Sequence, residues 1–274
     1  MLNQHKLLTA AVVEPLLPGR FGRPYLWSES CPSTQDVLRD DALPEGAVAL
    51  TEHQTAGRGR AGRQWQDERG TALLLSVLLR PPGSAAVAQL SLVCALAVAE
   101  TVERATGLDA GVKWPNDVLV SREKVAGILL DGRDGAVVCG IGLNVNQTEP
   151  ALPADARTPA ASLRTLTGRE HDRAAILLAL LERLEASYNA WLGEGLALIL
   201  PELERRDALR GAPLGVGKVS GLGAGIAPDG RLRVRTTEGT ELLLSSGEVE
   251  VCRCPTEVGH QGTANGRAGS RSGP

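Results

Sequence analysis

The sequence predicts an α+β protein in which a mixed β-sheet with flanking helices is followed by a small C-terminal β-barrel. Apolar strand candidates separated by short turns, with one long amphipathic helix among them, lie between residues 46 and 143. From residue 211, short β-runs alternate with glycine-rich turns, which is typical of a small barrel. The 274 residues, 43% of them apolar, suffice for one large core and a smaller second unit.

The first elements lie on either side of a segment rich in glycine and arginine. Residues 1–24 are expected to be a leader, because their prolines interrupt any long helix. Ser33 or Thr34 can cap a short helix that starts at Gln35. Apolar runs over 46–54 and 70–80 predict two strands of a sheet.

A long helix is predicted over 84–107 because its apolar residues recur with the helical period, and Gly107 ends it. These residues are Val87, Leu90, Cys94, Ala97, Val98 and Val102. Turn sequences at "PND", "SRE" and "DGRDGA" then separate strand candidates and predict antiparallel hairpins. The strand candidates are Gly111–Trp114 with Asp117–Ser121, Lys124–Leu130 and Ala136–Leu143.

Two helices, at about 170–192 and 195–209, complete a main domain that spans residues 25–210. A composition change near Arg210 starts the small β-domain, 211–254. Residues 255–274 lack apolar side chains for a core, and the sequence predicts a disordered tail there.

Composition excludes several classes of protein. A net charge of -3 and a pI near 5.9 argue against a general nucleic-acid binder. No apolar run is long enough to span a bilayer, and the N-terminus lacks a secretory signal, so a cytoplasmic protein is expected. Five cysteines without a C-x-x-C pair indicate buried free thiols rather than a zinc site or disulfides.

The segment "TAGRGRAGRQW", residues 55–65, contains the G-x-G-x-x-G pattern of dinucleotide-binding loops. That function needs a helix directly after the loop, but a short polar stretch and a strand follow here. A Walker loop also fails, because no Gly-Lys-Ser/Thr follows. Arginines on a glycine backbone instead predict an anion-binding lid, mobile when empty and ordered around its ligand.

Two of the four lysines lie close together in "VKWPNDVLVSREKVAGILLD". Lys113 precedes Trp-Pro-Asn-Asp, and Lys124 opens a strand in which Gly127 allows close approach of a ligand. Farther on, "GIGLNVN" places two glycines and two asparagines at a strand end, where sugar or phosphate contacts are common. Each segment alone is also compatible with an ordinary turn or strand exit.

Together, five ordered segments between Ser33 and Asn146 resemble the biotin protein ligases. The segments are "STQ", "EHQTAGRGRAGRQW", "KWPNDVLV", "KVAGILL" and "GIGLNVN". The resemblance implies a class II synthetase-like catalytic domain and an SH3-like C-terminal barrel. It is to the form without an N-terminal DNA-binding domain, so no DNA partner and no repressor activity are expected.

The resemblance implies a two-step reaction with ATP, Mg²⁺ and biotin. Biotin and MgATP give biotinyl-5′-adenylate, and a lysine of a biotin carboxyl carrier protein then takes the biotinyl group. Joining a carboxylate to a triphosphate brings two anions together, so the site needs cationic donors rather than a protein nucleophile. No membrane partner is expected, and a weak homodimer is compatible with the sequence.

The resemblance also implies which residues form the site. Residues expected to contact biotin are Ser33, Thr34, Gln35, Gln54, Arg58, Gly59, Arg60, Lys124 and Gly127. Residues expected to contact ATP are Arg60, Arg63, Trp65, Asn116, Asp117, Lys124, Gly142 and Asn144. Lys124 and Arg60 are the expected catalytic residues, Trp65 the cover of adenine and Asp117 the Mg²⁺ ligand. Gln35 stands where the family commonly has asparagine.

Two other functions are weighed against this one. A lipoate–protein ligase shares the fold and the acyl-adenylate chemistry, but its motifs differ from "GRGRAGRQW". A non-catalytic sensor of biotin or a nucleotide could use the same fold, although Arg60 and Lys124 favour catalysis. Biotin-dependent exchange of pyrophosphate into ATP distinguishes the three functions.

Overall fold

The structure, a computed structural model, describes residues 7–83, 87–133, 135–154 and 156–251. The predicted disordered tail, 255–274, lies outside the described residues, as do Cys252 and Cys254. Within the described ranges, two sheets and several helices form the α+β architecture that the sequence predicts. The predicted domain boundaries stay a prediction.

A seven-stranded sheet forms the centre of the molecule. Its strands are β1 Tyr25–Ser28, β2 Val48–Thr51, β3 Ala72–Leu79, β4 Ala110–Lys113, β5 Asp117–Val120, β6 Glu123–Arg133 and β7 Ala136–Asn144. Their spatial order is β1-β2-β3-β7-β6-β5-β4. The sheet is mixed because β1 and β2 pair in parallel, whereas the other pairs are antiparallel. Every residue of β3 is buried, which explains why all of its residues except Ser76 are apolar.

Helices flank this sheet. They are α1 Ala10–Val13, α2 Thr34–Val37, α3 Val87–Thr106, α4 Leu163–Thr167, α5 Arg173–Glu194 and α6 Leu200–Arg205. The two long helices, α3 and α5, pack on each other, and α3 also contacts β4 and β6. Asp172 caps α5 by accepting hydrogen bonds from the backbone N–H groups of Ala174 and Ala175.

The structure differs from the predicted elements at both ends of the main domain. The segment expected to be a leader contains α1 and contributes Leu8, Val13 and Phe21 to the core. The predicted helix 195–209 is wrong in extent, because a 3₁₀ turn at Gly195–Leu198 precedes the six-residue α6. Gly195 has φ 63°, and Pro201 lacks the N–H that a helix interior requires, so the chain cannot continue as one helix.

The second sheet contains β8 Pro213–Val216, β9 Val219–Ile226, β10 Leu232–Arg235, β11 Glu241–Leu244 and β12 Val249–Val251. Its order is β11-β10-β9-β8-β12, and all its pairs are antiparallel. Leu214 and Ile226 belong to the same apolar cluster as the main sheet. The indole N–H of Trp114 also donates to the carbonyl of Gly230 at 3.0 Å, so this hydrogen bond links the segment after β4 to the turn between β9 and β10.

The thiols follow the sequence prediction in part. Cys94 and Cys139 are buried and free, whereas Cys31 is free but half-buried. Within the described ranges, no helix is both long and apolar enough to cross a membrane.

Candidate active site

A cavity of about 1720 Å³ lies between the main sheet, the segment Gly57–Trp65 and the small sheet. We call Gly57–Trp65 the Gly/Arg loop. All fifteen residues that the sequence places in the site line this one cavity. They are Ser33, Thr34, Gln35, Gln54, Arg58, Gly59, Arg60, Arg63, Trp65, Asn116, Asp117, Lys124, Gly127, Gly142 and Asn144.

The Gly/Arg loop folds back on itself and forms a hairpin-like structure. The backbone N–H of Gly59 donates to the carbonyl of Arg63 at 2.7 Å, and that of Trp65 to the carbonyl of Gly57 at 3.0 Å. Ala61 and Gly62 form the tip with φ 54° and 74°. The chain then continues into β3, not into a helix, so the loop lacks the geometry of a dinucleotide-binding turn.

Trp65 is seated on a floor of two glycines in neighbouring strands. A Cβ on Gly142 would lie 2.6 Å from Cε2 and Cζ2 of Trp65, and one on Gly127 would lie 3.2 Å from Cζ3. Gly127 and Gly142 are paired across β6 and β7. Only residues without a side chain allow the indole to approach this closely, so both glycines are needed by the packing of Trp65.

The hairpin of β5 and β6 brings together the polar groups at the centre of the cavity. Lys124 Nζ lies 2.6 Å from Asp117 Oδ1. Arg60 donates from Nη1 to Asn116 Oδ1 at 3.0 Å, and Asn116 donates from Nδ2 to the carbonyl of Ile128 at 3.0 Å. Because Asn116 is anchored to β6, it holds the Arg60 guanidinium over the same strands that carry Lys124.

Hydrogen bonds also order the other end of the cavity, where α2 meets β2. Gln54 Oε1 accepts from the backbone N–H of Thr34 at 2.9 Å, and Thr34 Oγ1 lies 2.8 Å from Ser76 Oγ. Gln35 donates from Nε2 to the carbonyl of Leu129 at 2.9 Å. The side-chain amide of Gln35 is therefore engaged with the backbone of β6.

Ser33 and Asn144 contact the cavity in ways that the sequence does not reveal. Ser33 is the N-cap of α2, but its hydroxyl makes no capping hydrogen bond and instead lies 3.5 Å from Arg58 Nη2. Asn144 is buried, donates to the carbonyl of Ala161 at 3.0 Å and accepts from Gln147 Nε2 at 2.9 Å. Its side-chain amide therefore holds the segment that follows β7 in place through hydrogen bonds.

The cavity is positive although the chain is negative. Eight cationic and four acidic side chains line it, a formal difference of +4, against -3 for the whole chain. Lines of the electric field converge in such a cleft and attract anions. Burial lowers the pKa of the Lys113 ammonium; Asp117 opposes this shift, whereas Lys124 and Arg63 reinforce it.

Three further residues complete the site. Lys113 lines the cavity and donates to Thr158 Oγ1 at 3.0 Å. Glu248, from the small sheet's end of the chain, lies 2.7 Å from Arg63 and 2.6 Å from Arg157. The rarity of lysine pointed to Lys113, but no local pattern marks Arg157 or Glu248, because only the fold brings them to the Gly/Arg loop.

The chain is similar in sequence to several known proteins. Residues 27–147 match the model of the biotin/lipoate A/B protein ligase family. The bifunctional ligase/repressor BirA of Bacillus subtilis is 32% identical over 238 residues, which are 82% of this chain and 73% of that protein. A biotin–[acetyl-CoA-carboxylase] ligase of Paracoccus denitrificans is 36% identical over 218 residues, 73% of this chain and 89% of that protein.

The fold is also similar to that of a solved structure. The biotin protein ligase of Aquifex aeolicus, in complex with biotin and ATP, has a TM-score of 0.76 and 32% identity. The similarity covers 83% of this chain and 98% of that one. By sequence and by fold, the chain belongs to the biotin/lipoate A/B protein ligase family.

Proposed function

We propose that the protein is an ATP-dependent, AMP-forming biotin protein ligase. It activates biotin as biotinyl-5′-adenylate and transfers the biotinyl group to a lysine of a biotin carboxyl carrier protein. The observation that carries the proposal is the cluster of Arg60, Asn116, Asp117 and Lys124 inside one positive cavity. Relatives named as biotin ligases, and a similar structure that holds biotin and ATP, support it.

In the first step, a carboxylate oxygen of biotin attacks the α-phosphorus of ATP, and the bond to the β-phosphate breaks to release pyrophosphate. Lys124 is the group proposed to contact both the carboxylate and the α-phosphate, with Arg60 beside it. Their positive charges offset the repulsion between the two anions, which otherwise opposes the approach. Arg63, nearer the opening, is proposed to contact the departing pyrophosphate.

The two ends of the cavity are proposed to bind the two substrates. Ser33, Thr34, Gln35 and Gln54 would surround biotin, because their amide and hydroxyl groups already form an ordered wall. Trp65 would cover adenine. One face of its indole rests on the glycine floor, so the opposite face is the one available to a base.

The residues present fit a Mg²⁺ ion that arrives with the nucleotide. Asp117 Oδ1 is buried and, among the described residues, accepts no hydrogen bond of good geometry besides its ion pair with Lys124. Mg²⁺ is commonly held by one or two carboxylates together with substrate phosphates. Asp117 is therefore the proposed protein ligand, and the ion would supply neutralisation of phosphate charge.

In the second step, the amine of the carrier lysine attacks the acyl carbon of the adenylate, a proton is lost and AMP departs. The closed Gly/Arg loop would shield the adenylate from water until the carrier arrives. A cytoplasmic location and weak homodimerisation stay predictions from the sequence.

Exchange of labelled pyrophosphate into ATP tests the first step directly. We expect exchange with biotin and none with lipoate or without an acid. Exchange with lipoate alone would instead identify a lipoate–protein ligase, and tight binding of biotin without exchange would identify a sensor. Transfer of labelled biotin to a purified carrier domain, with and without ATP, tests the second step.

A further inference from the structure

Asp67, two residues beyond the Gly/Arg loop, is a buried carboxylate that the proposed chemistry does not use. Its side chain is only 1% exposed. Asp67 Oδ2 lies 2.8 Å from His53 Nδ1, and Oδ1 accepts a 3.3 Å hydrogen bond from the backbone N–H of Gln54. Burying a carboxylate is costly unless it is paired and hydrogen-bonded, so these contacts account for its placement.

These contacts join the two arms of the loop at their base. His53 and Gln54 follow β2 and lead into the loop, whereas Asp67 lies on the arm that returns from Trp65. Nearer the tip, the arms are held by backbone hydrogen bonds between Trp65 and Gly57 and between Gly59 and Arg63. Asp67 therefore adds a charged side-chain link below a stem that is otherwise made of backbone contacts.

Gln54 connects this base to the cavity. Its backbone N–H is held by Asp67, and its Oε1 accepts from the backbone N–H of Thr34 at 2.9 Å. Its Nε2 lies so near the loop that a Cβ on Gly57 would be 3.1 Å from it. One residue thus touches the returning arm, the α2 side of the cavity and the first glycine of the loop.

We propose that Asp67 is a positioning residue that clamps the base of the Gly/Arg loop to Gln54 and His53. The clamp sets the distance between Trp65, on the nucleotide side, and Gln54, on the biotin side. Asp67 itself touches neither substrate. The part of this inference that concerns substrates rests on the proposed function, whereas the clamp itself does not.

Limited trypsin digestion tests the clamp without any substrate. Arg58, Arg60 and Arg63 make the loop a substrate for trypsin once its stem opens. Asp67→Asn should be cleaved in the loop several-fold faster than the wild type, as measured by mass spectrometry of the fragments. Glu68→Gln is the matched control, because it removes a neighbouring carboxylate from an exposed residue and should be cleaved at the wild-type rate.

Variants of His53 keep the test valid if Asp67→Asn fails to fold. His53 is 32% exposed at its side chain and so tolerates replacement better. His53→Ala removes the donor to Asp67 and should loosen the loop, whereas His53→Asn retains a donor near the position of Nδ1 and should restore slow cleavage. Equal cleavage of both His53 variants would overturn the clamp.

Pyrophosphate exchange then tests the effect on substrates. Because charge-assisted hydrogen bonds are lost, we expect the KM values for biotin and for ATP to rise together, each about tenfold, in Asp67→Asn and in His53→Ala. KM values equal to those of Glu68→Gln would overturn the positioning role. If the wild type shows no exchange with biotin, the proposed function fails, and the trypsin result still decides the clamp.

Discussion

Replacing Gly142 by alanine tests whether the glycine floor exists to seat Trp65. The new Cβ would lie 2.6 Å from Cε2 and Cζ2 of the indole, whereas ordinary van der Waals contacts begin at 3.4 Å. The ring must therefore retreat by about 1 Å, which forfeits much of its dispersion contact with the floor. Gly142 lies in β7 without a positive φ, so the alanine itself does not strain the backbone.

We expect this displacement to weaken the binding of ATP more than that of biotin. Stacking of a base on an aromatic side chain is worth about 1–3 kcal/mol, and loss of about half of it raises the KM for ATP by a factor of about 2 to 12. The assay is biotin-dependent pyrophosphate exchange with ATP varied at saturating biotin. The KM for biotin should change little, because the α2 end of the cavity is untouched.

Gly132→Ala is the matched control. Gly132 also lies in the main sheet, on β6, and a Cβ there meets nothing within 4 Å. A KM for ATP that is the same in Gly142→Ala and Gly132→Ala would refute the reasoning. A second check uses Trp65→Ala as background: there Gly142→Ala should have no further effect, because the clashing ring is gone.

Three further changes test the charges of the site and of the core. Lys124→Ala should reduce adenylate formation ~10²–10³-fold, and undiminished exchange would remove Lys124 from the mechanism. Because the variant leaves the buried Asp117 Oδ1 without its ion-pair partner, Lys124→Ala with Asp117→Asn serves as the second variant, and thermal unfolding checks that both are folded. Burial lowers the pKa of Lys113, so its charge is present at low pH and is lost as pH rises through that lowered pKa. Because Lys113 lines the positive cavity, loss of its charge should weaken the attraction of ATP, and we expect the KM for ATP to rise on the alkaline side in the wild type. A parallel rise in Lys113→Met would show that another group causes it. Arg173→Met removes the ion-pair partner that lies 2.7 Å from the buried Glu52, and urea unfolding should show a free energy of unfolding lower by ~3–5 kcal/mol. The decrease should be smaller in the double variant Arg173→Met, Glu52→Gln, because no unpaired carboxylate is then buried.

The sequence predicted the elements that local patterns determine. The period of apolar residues located α3, and the turns "PND", "SRE" and "DGRDGA" located the hairpins of β4 to β7. It missed α1, β1 and α4, which are four or five residues long and are too short to display a period. The equally short β2 was predicted because it lies within a longer apolar run. The sequence also predicted one helix from Gly195 through Pro201 to residue 209, because the apolar pattern continues where the backbone does not.

Residue types and their spacing predicted an anion-binding site, whereas the activation of biotin was implied by the family resemblance. Arginines on a glycine backbone and a lysine in a glycine-containing strand indicated an anion site, and all fifteen candidates line one cavity. These patterns are visible in the sequence because the residues of one segment that contact a ligand lie close together along the chain.

Only the tertiary structure decided which residues meet one another. The pairing of β6 with β7 places Gly127 beside Gly142 and so makes the floor for Trp65. The packing of the small sheet brings Glu248 to Arg63, and the return of the Gly/Arg loop brings Asp67 to Gln54. These contacts depend on strand register and chain crossing, which no local period encodes, because they join segments whose distance in space is set by the whole fold.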